Sequence, residues 1–135
     1  MKYWLLKSEP EKYSIQKFQT DGHTFWDGVR NYQARNNLQA MKTGDLCLYY
    51  HSNEGKEIVG MARVIREAYP DPTTEDPAWV VVDVEFVEIF PKTLPLAQLK
   101  AHPVLKDMAL VKNSRLSVLP VTPLEFDLVV QLTQA

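Results

Sequence analysis

Cys47 is the only cysteine in the 135 residues of this chain. One thiol forms no internal disulfide, so the framework of a small oxidised domain is absent and an oxidising compartment is not indicated. Glycine is scarce at five residues, and none completes a GxGxxG, GxxxxGK[ST] or GxSxG pattern. The phosphate cradles of nucleotide folds and a nucleophile elbow are therefore excluded. His23, His51 and His102 lie far apart, without a cysteine or second histidine at metal-ligand spacing, so neither a metal nor a cofactor is expected. A strong charge of one sign is also lacking: the net charge of -2 argues against the broad basic footprint that grips duplex DNA through many phosphates. No stretch approaches the roughly 20 apolar residues that span a bilayer. The opening "MKYWLLKSEPEKY" breaks its apolar run at Lys7 and has no small-residue cleavage site. Together these absences predict a protein without a membrane partner, cytoplasmic, or nuclear if the source is eukaryotic.

What is present fits a single domain spanning 1–135. Hydrophobic residues make up 45% and charged residues 24%, a globular balance that favours neither disorder nor a fibrous repeat. The charge is uneven: residues 1–42 hold seven Lys or Arg against four Asp or Glu, which leaves a local excess of positive charge near the N-terminus.

Periodicity predicts a strand at 2–8, stopped by "EP", since Pro10 disfavours helical geometry at Glu9. Ser14 caps one or two helical turns with Ile15 and Phe18 on one face. After the turn "TDGHT", the spacing of Ala34, Leu38 and Met41 predicts a helix over 31–40. "DLCLYYHS" and "IVGMARVIREAY" form an antiparallel hairpin around "NEGKE", followed by a loop at 70–77 punctuated by Pro70, Pro72 and Pro77. "WVVVDVEFVEIF" is the strongest strand, with Pro91 and Pro95 at its exit. A short helix in "LPLAQLKAH", a strand at 116–121 and a C-terminal helix complete the chain. That last helix starts at Thr122 as N-cap, with Pro123, Glu125 three residues after the cap, a Val121–Phe126 staple and an apolar stripe of Leu124, Leu128 and Leu132. About five strands with short helices between them give an α+β class, with a curved, mainly antiparallel sheet or small barrel.

Polar and aromatic residues collect at the element ends, where scaffolds present binding groups. They lie in "SEP" (8–10), "WDGVRNY" (26–32), "YHS" (50–52), "AYPDP" (68–72) leading to Trp79, and "NSRLS" (113–117). Each has a plain structural reading. Trp26 fills a core, Arg30 pairs with a carboxylate, Tyr69 and Trp79 clamp the Pro-rich loop, and Cys47 with His51 on one strand face is packing.

Taken together, "YWLLKSEP", "WDGVRNYQARNNL", "GDLCLYYHS", "IVGMARVIREAYPDPT", "WVVVDV" and "SRLSVLPV" resemble the EVE domain family, a PUA-like group related to YTH domains. The resemblance covers nearly the whole chain. It implies a PUA-like barrel-like sheet flanked by helices, and a non-catalytic module that holds a modified base in an aromatic pocket. That base is of the 5-methylcytosine type in DNA, a modified RNA base or a free modified nucleotide. It implies Trp26 as the stacking wall and Ser8, Glu9, Val29, Arg30, Asn31, His51, Ser52, Ser114 and Arg115 as pocket rim or polar readout. Lys7 stands beside them as a phosphate contact, and Tyr69 and Trp79 as further aromatic candidates.

Two rival readings follow from the same residues. Related ASCH-type amidohydrolases act on modified nucleosides with a lysine, a hydroxyl residue and a glutamate, the types present in Lys7, Ser8 and Glu9. Strand alternation places Lys7 and Ser8 on opposite faces, which weakens that reading. The acidic loop 71–76 is a surface on which a protein partner docks in the third reading, against the plain alternative of a solvated loop.

Overall fold

The protein is described by a computed structural model over residues 1–134. Six strands form one sheet: β1 (Tyr3–Ser8), β2 (His23–Phe25), β3 (Leu46–His51), β4 (Glu57–Pro70), β5 (Val80–Pro95) and β6 (Val118–Val121). Six helices flank it: α1 (Pro10–Tyr13), α2 (Ile15–Asp21), α3 (Tyr32–Ala40), α4 (Leu96–Ala101), α5 (Ala109–Lys112) and α6 (Pro123–Thr133). A 3-10 turn at Leu105–Asp107 links α4 to α5.

The class is α+β, and the sheet is mixed rather than antiparallel throughout. Its order is β2-β5-β4-β3-β1-β6. The β3–β4 hairpin and the β4–β5 pair are antiparallel, whereas β1 lies parallel to β3, with Tyr3 opposite Leu46 and Ser8 opposite His51. β6 then pairs antiparallel with the other side of β1. A barrel is not formed: β2 and β6 end the order, and no ladder joins them among the described residues.

Local chemistry explains most boundaries. Ser14 Oγ accepts from Lys17 N at 3.0 Å and starts α2, and Asn31 Oδ1 accepts from Ala34 N at 3.0 Å and starts α3. Thr122 and Glu125 form a complete capping box at α6. α6 buries Phe126, Val129 and Thr133 instead of the expected leucine stripe, and Leu124 is exposed. Phe126 stacks on Tyr3, with centroids 4.1 Å apart, and that contact sets the rotation of the helix. β5 runs beyond its expected end. Pro91 falls between the pairs Gly60–Ile89 and Ile58–Leu94, where the register slips, so its missing N–H costs no ladder bond.

The core lies between the sheet and the helices, with Leu5, Leu6, Phe18, Leu38, Met41, Leu48, Tyr49 and Ile58 all fully buried. Asp45 pins the start of the parallel pair: its carboxylate accepts from Trp4 Nε1 at 3.0 Å, Lys42 N at 3.0 Å and Lys2 N at 3.1 Å. Burial alone raises the pKa of Asp45, but these donors outweigh it and hold the carboxyl below its ordinary value.

α2 packs onto the sheet at Gly60. A Cβ there would stand 2.5 Å from the Glu88 carbonyl oxygen and 2.9 Å from Ile15 Cδ1. Gly60→Ala is therefore expected to lower the unfolding free energy by about 1–3 kcal/mol, read from the urea midpoint.

Candidate functional site

The parallel pairing of β1 and β3 brings two strand ends to one place. Ser8 closes β1 and His51 closes β3 side by side, and the ladder continues as Ser52 N–H donates to the Ser8 carbonyl at 2.9 Å. β6 approaches from the opposite direction, so the segment before it arrives at the same end, where Lys7 N–H donates to the Ser117 carbonyl at 3.0 Å. "KSE", Ser52 and "SRLS", distant in the chain, thereby line one cleft.

The opposite wall comes from β2 and its continuation. Trp26 N–H donates to the Val82 carbonyl at 2.8 Å, which extends the β2–β5 ladder by one residue. The Trp26 ring meets Tyr49 edge to face at 5.5 Å and 85°, and Tyr13 at 6.3 Å and 70°. Phe18 stacks on Tyr49 from the core side at 5.5 Å. Such pairs fix ring planes as well as burying area. Trp26 is only 8% exposed, so it belongs to the core and also borders the cleft.

The cleft encloses about 650 Å³, within the roughly 300–1,000 Å³ typical of small-molecule sites. Its cationic groups are Lys7, Lys12 and Arg115, and its acidic ones Glu9 and Asp27. Lys7 Nζ donates to the Ser114 carbonyl at 2.8 Å, and burial pushes its pKa down. Ser8 Oγ donates to the Tyr13 carbonyl at 2.7 Å. Glu9 pairs with Lys12 at 3.2 Å on the exposed rim. The Tyr13 hydroxyl donates to Asp21 at 2.9 Å, and its pKa is pushed up to about 12 by burial and by that carboxylate, so the phenol stays neutral.

Of the residues expected at the site, Lys7, Ser8, Glu9, Trp26, Ser52, Ser114 and Arg115 line this cleft. Six others lie elsewhere. Val29 is buried in the core. Arg30 turns away to Asp71, whose buried carboxylate it meets at 3.0 Å. The Asn31 side chain is spent on capping α3. His51 is buried and accepts from Ile15 N–H at 3.0 Å. Tyr69 donates to Asp83, with Arg66 over its ring at 3.6 Å. Trp79 stacks on Tyr32 at 5.0 Å, with Arg30 5.6 Å from its ring, and so clamps the loop 71–79 onto α3.

Lys12, Tyr13, Thr24, Phe25, Asp27, Gly28 and Ser117 also border the cleft, although sequence reasoning did not select them. The missing signal was β2, a strand of only three residues inside a segment that reads as a turn. Cys47 is fully buried, and burial drives its thiol pKa far up, which removes it as a nucleophile.

Comparison with known proteins places this geometry in context. The family model described as "EVE domain" matches residues 2–132. Thymocyte nuclear protein 1 of Gallus gallus is 42% identical over 98% of this chain and 69% of its own length. A crystal structure of an Agrobacterium tumefaciens protein is 45% identical at a TM-score of 0.96, covering 98% of this chain and 93% of that one. The crystal structure of human THYN1 protein in complex with 5-methylcytosine-containing DNA is 40% identical at a TM-score of 0.92, covering 100% of this chain and 99% of that one. A Zygosaccharomyces rouxii YTH domain, 15% identical at a TM-score of 0.64, shares the fold. The cytoplasmic placement expected from the sequence does not stand, because the vertebrate relatives are named as nuclear proteins.

His51 links pH to the architecture of the cleft. Its Nε2 accepts a bond, so the neutral ring carries its proton on Nδ1. Burial holds its pKa below the ordinary value. Stability from this group is complete above the unfolded histidine value of about 6.5, and it is lost as pH falls through the lower folded value. In urea melts at pH 7.5 and 5.0, the loss of stability at the lower pH is expected to shrink in His51→Gln. His51→Ala, which orphans the Ile15 N–H, should cost about 1–3 kcal/mol at pH 7.5 and less at pH 5.0, where the wild type has itself lost part of this contribution.

Proposed function

Since this chain belongs to the EVE domain family, we propose that it is a non-catalytic module whose cleft holds a modified base, of the 5-methylcytosine type in DNA or a modified base in RNA. The PUA-like fold serves as its scaffold, and the whole chain acts as one such unit. The observation that carries this reading is the placement of Trp26, a tryptophan fixed by two perpendicular rings on the wall of a cleft rimmed by Lys7, Lys12 and Arg115. It is supported by the human relative solved with 5-methylcytosine-containing DNA, which shares the fold at 40% identity.

The chemistry is that of an unstacked base. Aromatic contact supplies about 1–3 kcal/mol per base, and a flipped base exposes its Watson–Crick edge to polar groups. Ser8, Glu9, Ser52, Ser114 and Arg115 form that polar set, with Glu9 available to accept from an exocyclic amine. A methyl group adds apolar contact worth only about 1–3 kcal/mol, so discrimination against the unmodified base is modest.

The hydrolase alternative is disfavoured by the bonds already made. Lys7 and Ser8 each donate to a backbone carbonyl, and Glu9 pairs with Lys12, so no base is positioned to activate the Ser8 hydroxyl.

Trp26→Phe, which keeps a ring in the core, is expected to weaken binding of a labelled 5-methylcytosine strand less than Trp26→Ala. The alanine variant should lose about 1–3 kcal/mol of affinity, roughly five- to 150-fold in Kd, by fluorescence anisotropy. Equal affinity of the wild type for modified and unmodified strands would sink the reading.

A further inference from the structure

A second, smaller cavity of about 170 Å³ adjoins the cleft and shares Lys7, Ser52 and Ser114 with it as a common wall. Its volume lies below the roughly 300–1,000 Å³ of sites that enclose drug-sized ligands. The chemistry of its lining is one-sided. Two lysines, Lys7 and Lys56, two serines, Ser52 and Ser114, and Asn53 line it, while no Asp or Glu does. Tyr50, Leu96 and Leu110 close the remaining sides.

We propose that this cavity is a phosphate subsite, which takes the phosphodiester next to the base held in the larger cleft. The pairing with a base rests on the function proposed above, whereas the affinity for a tetrahedral oxyanion rests on the cavity alone. Lys7 is the hinge between the two. An ammonium has three N–H donors. One goes to the Ser114 carbonyl at 2.8 Å, and none of the ion pairs among the described residues engages the others. Burial disfavours its charged form, a cost that a bound anion offsets.

The turn that carries Lys56 is built at some conformational expense. Asn53 (φ 67°) and Lys56 (φ 43°) are the non-glycine residues of positive φ among those described, and both line this cavity. The left-handed region is tolerated by asparagine but unfavourable for lysine. Backbone in such sparsely populated regions clusters where function holds it. Asn53 Nδ2 also donates to Glu11 at 3.0 Å, so one acidic group stands behind the turn without entering the cavity.

A ligand read by both cavities must carry phosphate beside its base, so the partner is a nucleotide or a strand rather than a free nucleoside. Two arms test this. In the first, inorganic phosphate is titrated into the labelled protein, and saturable NMR shifts are expected at Ser52, Asn53 and Lys56. The shifts should be lost in Lys56→Ala and kept in Lys56→Arg. In the second, a single strand with one 5-methylcytosine is compared with the nucleoside 5-methyldeoxycytidine. Lys56→Ala should weaken the strand about two- to fivefold, the range of an exposed ion pair. It should also lower the slope of log affinity against log salt by about 0.7 and leave the nucleoside unchanged. Unchanged strand affinity and slope in Lys56→Ala, with binding still lost in Trp26→Ala, would overturn the subsite and leave the base reading intact. An inert Trp26→Ala with a reduced slope in Lys56→Ala would overturn the base reading and leave the subsite.

Discussion

Two side-chain hydroxyls converge on one backbone oxygen: Ser8 Oγ and Tyr49 Oη each donate to the Tyr13 carbonyl at 2.7 Å. A carbonyl has two lone pairs, and here both are filled by residues of the neighbouring strands β1 and β3. Two residues later, the Ile15 N–H finds His51 Nε2. The chain between α1 and α2 bends at Ser14, which has extended backbone and interrupts the helical bonding. Groups from the sheet take over what the helix cannot satisfy there. Without this junction the α1–α2 elbow has no fixed height above the sheet, and the Tyr13 ring no fixed angle to Trp26. The closure is complete in another sense: among the described residues no buried side-chain nitrogen or oxygen lacks a hydrogen-bond partner.

The junction works because β1 is parallel to β3. An antiparallel pairing would carry Ser8 to the far end of β3, near Leu46, and leave Ser52 and His51 facing a different strand terminus. Parallel pairing places both carboxyl ends together, and the antiparallel return of β6 adds Ser114, Arg115 and Ser117 from a segment more than a hundred residues away. The same convergence bears on the electrostatics of a chain whose net charge is -2. The cleft draws Lys7, Lys12 and Arg115 from separate elements against Glu9 and Asp27, which leaves it one positive charge in excess within an acidic chain.

Much of this was legible one element at a time. The strands β1, β3, β4 and β5, the caps at Ser14 and Thr122 and the inward stripe of α3 all follow from periods and cap chemistry over a few residues. Pairing partners did not follow, because β1 and β3 are apolar runs whose alternation says nothing about direction. α6 was misread for a related reason: three leucines at helical spacing look like a core stripe, but stacking of Phe126 on Tyr3 turned the helix by one position. Site residues divided along the same line. Those at the end of β1 and Ser52 just past β3 converged, whereas His51 was taken by the Ile15 N–H, and Arg30 and Asn31, only a few positions past Trp26, were claimed by Asp71 and by the start of α3. Proximity in the chain was the poorer guide, since one positive-φ residue, Gly28, separates the two fates.

Trp26 shows why core and wall are not competing roles. A tryptophan on a free loop would have to be ordered at the moment of binding, at about 0.5–1.5 kcal/mol for an immobilised side chain. Here the backbone N–H is held by Val82 and the ring by Tyr49 and Tyr13, so the ordering is completed on folding. The little surface that stays open is thus presented in one orientation. The polar groups across the cleft are held in the same way, Ser8 by the Tyr13 carbonyl and Lys7 by the Ser114 carbonyl. Because Tyr13 anchors Ser8 through its carbonyl and Trp26 through its ring, the two facing walls of the cleft are referred to a single residue. Any shift of the α1–α2 elbow must then alter both walls together.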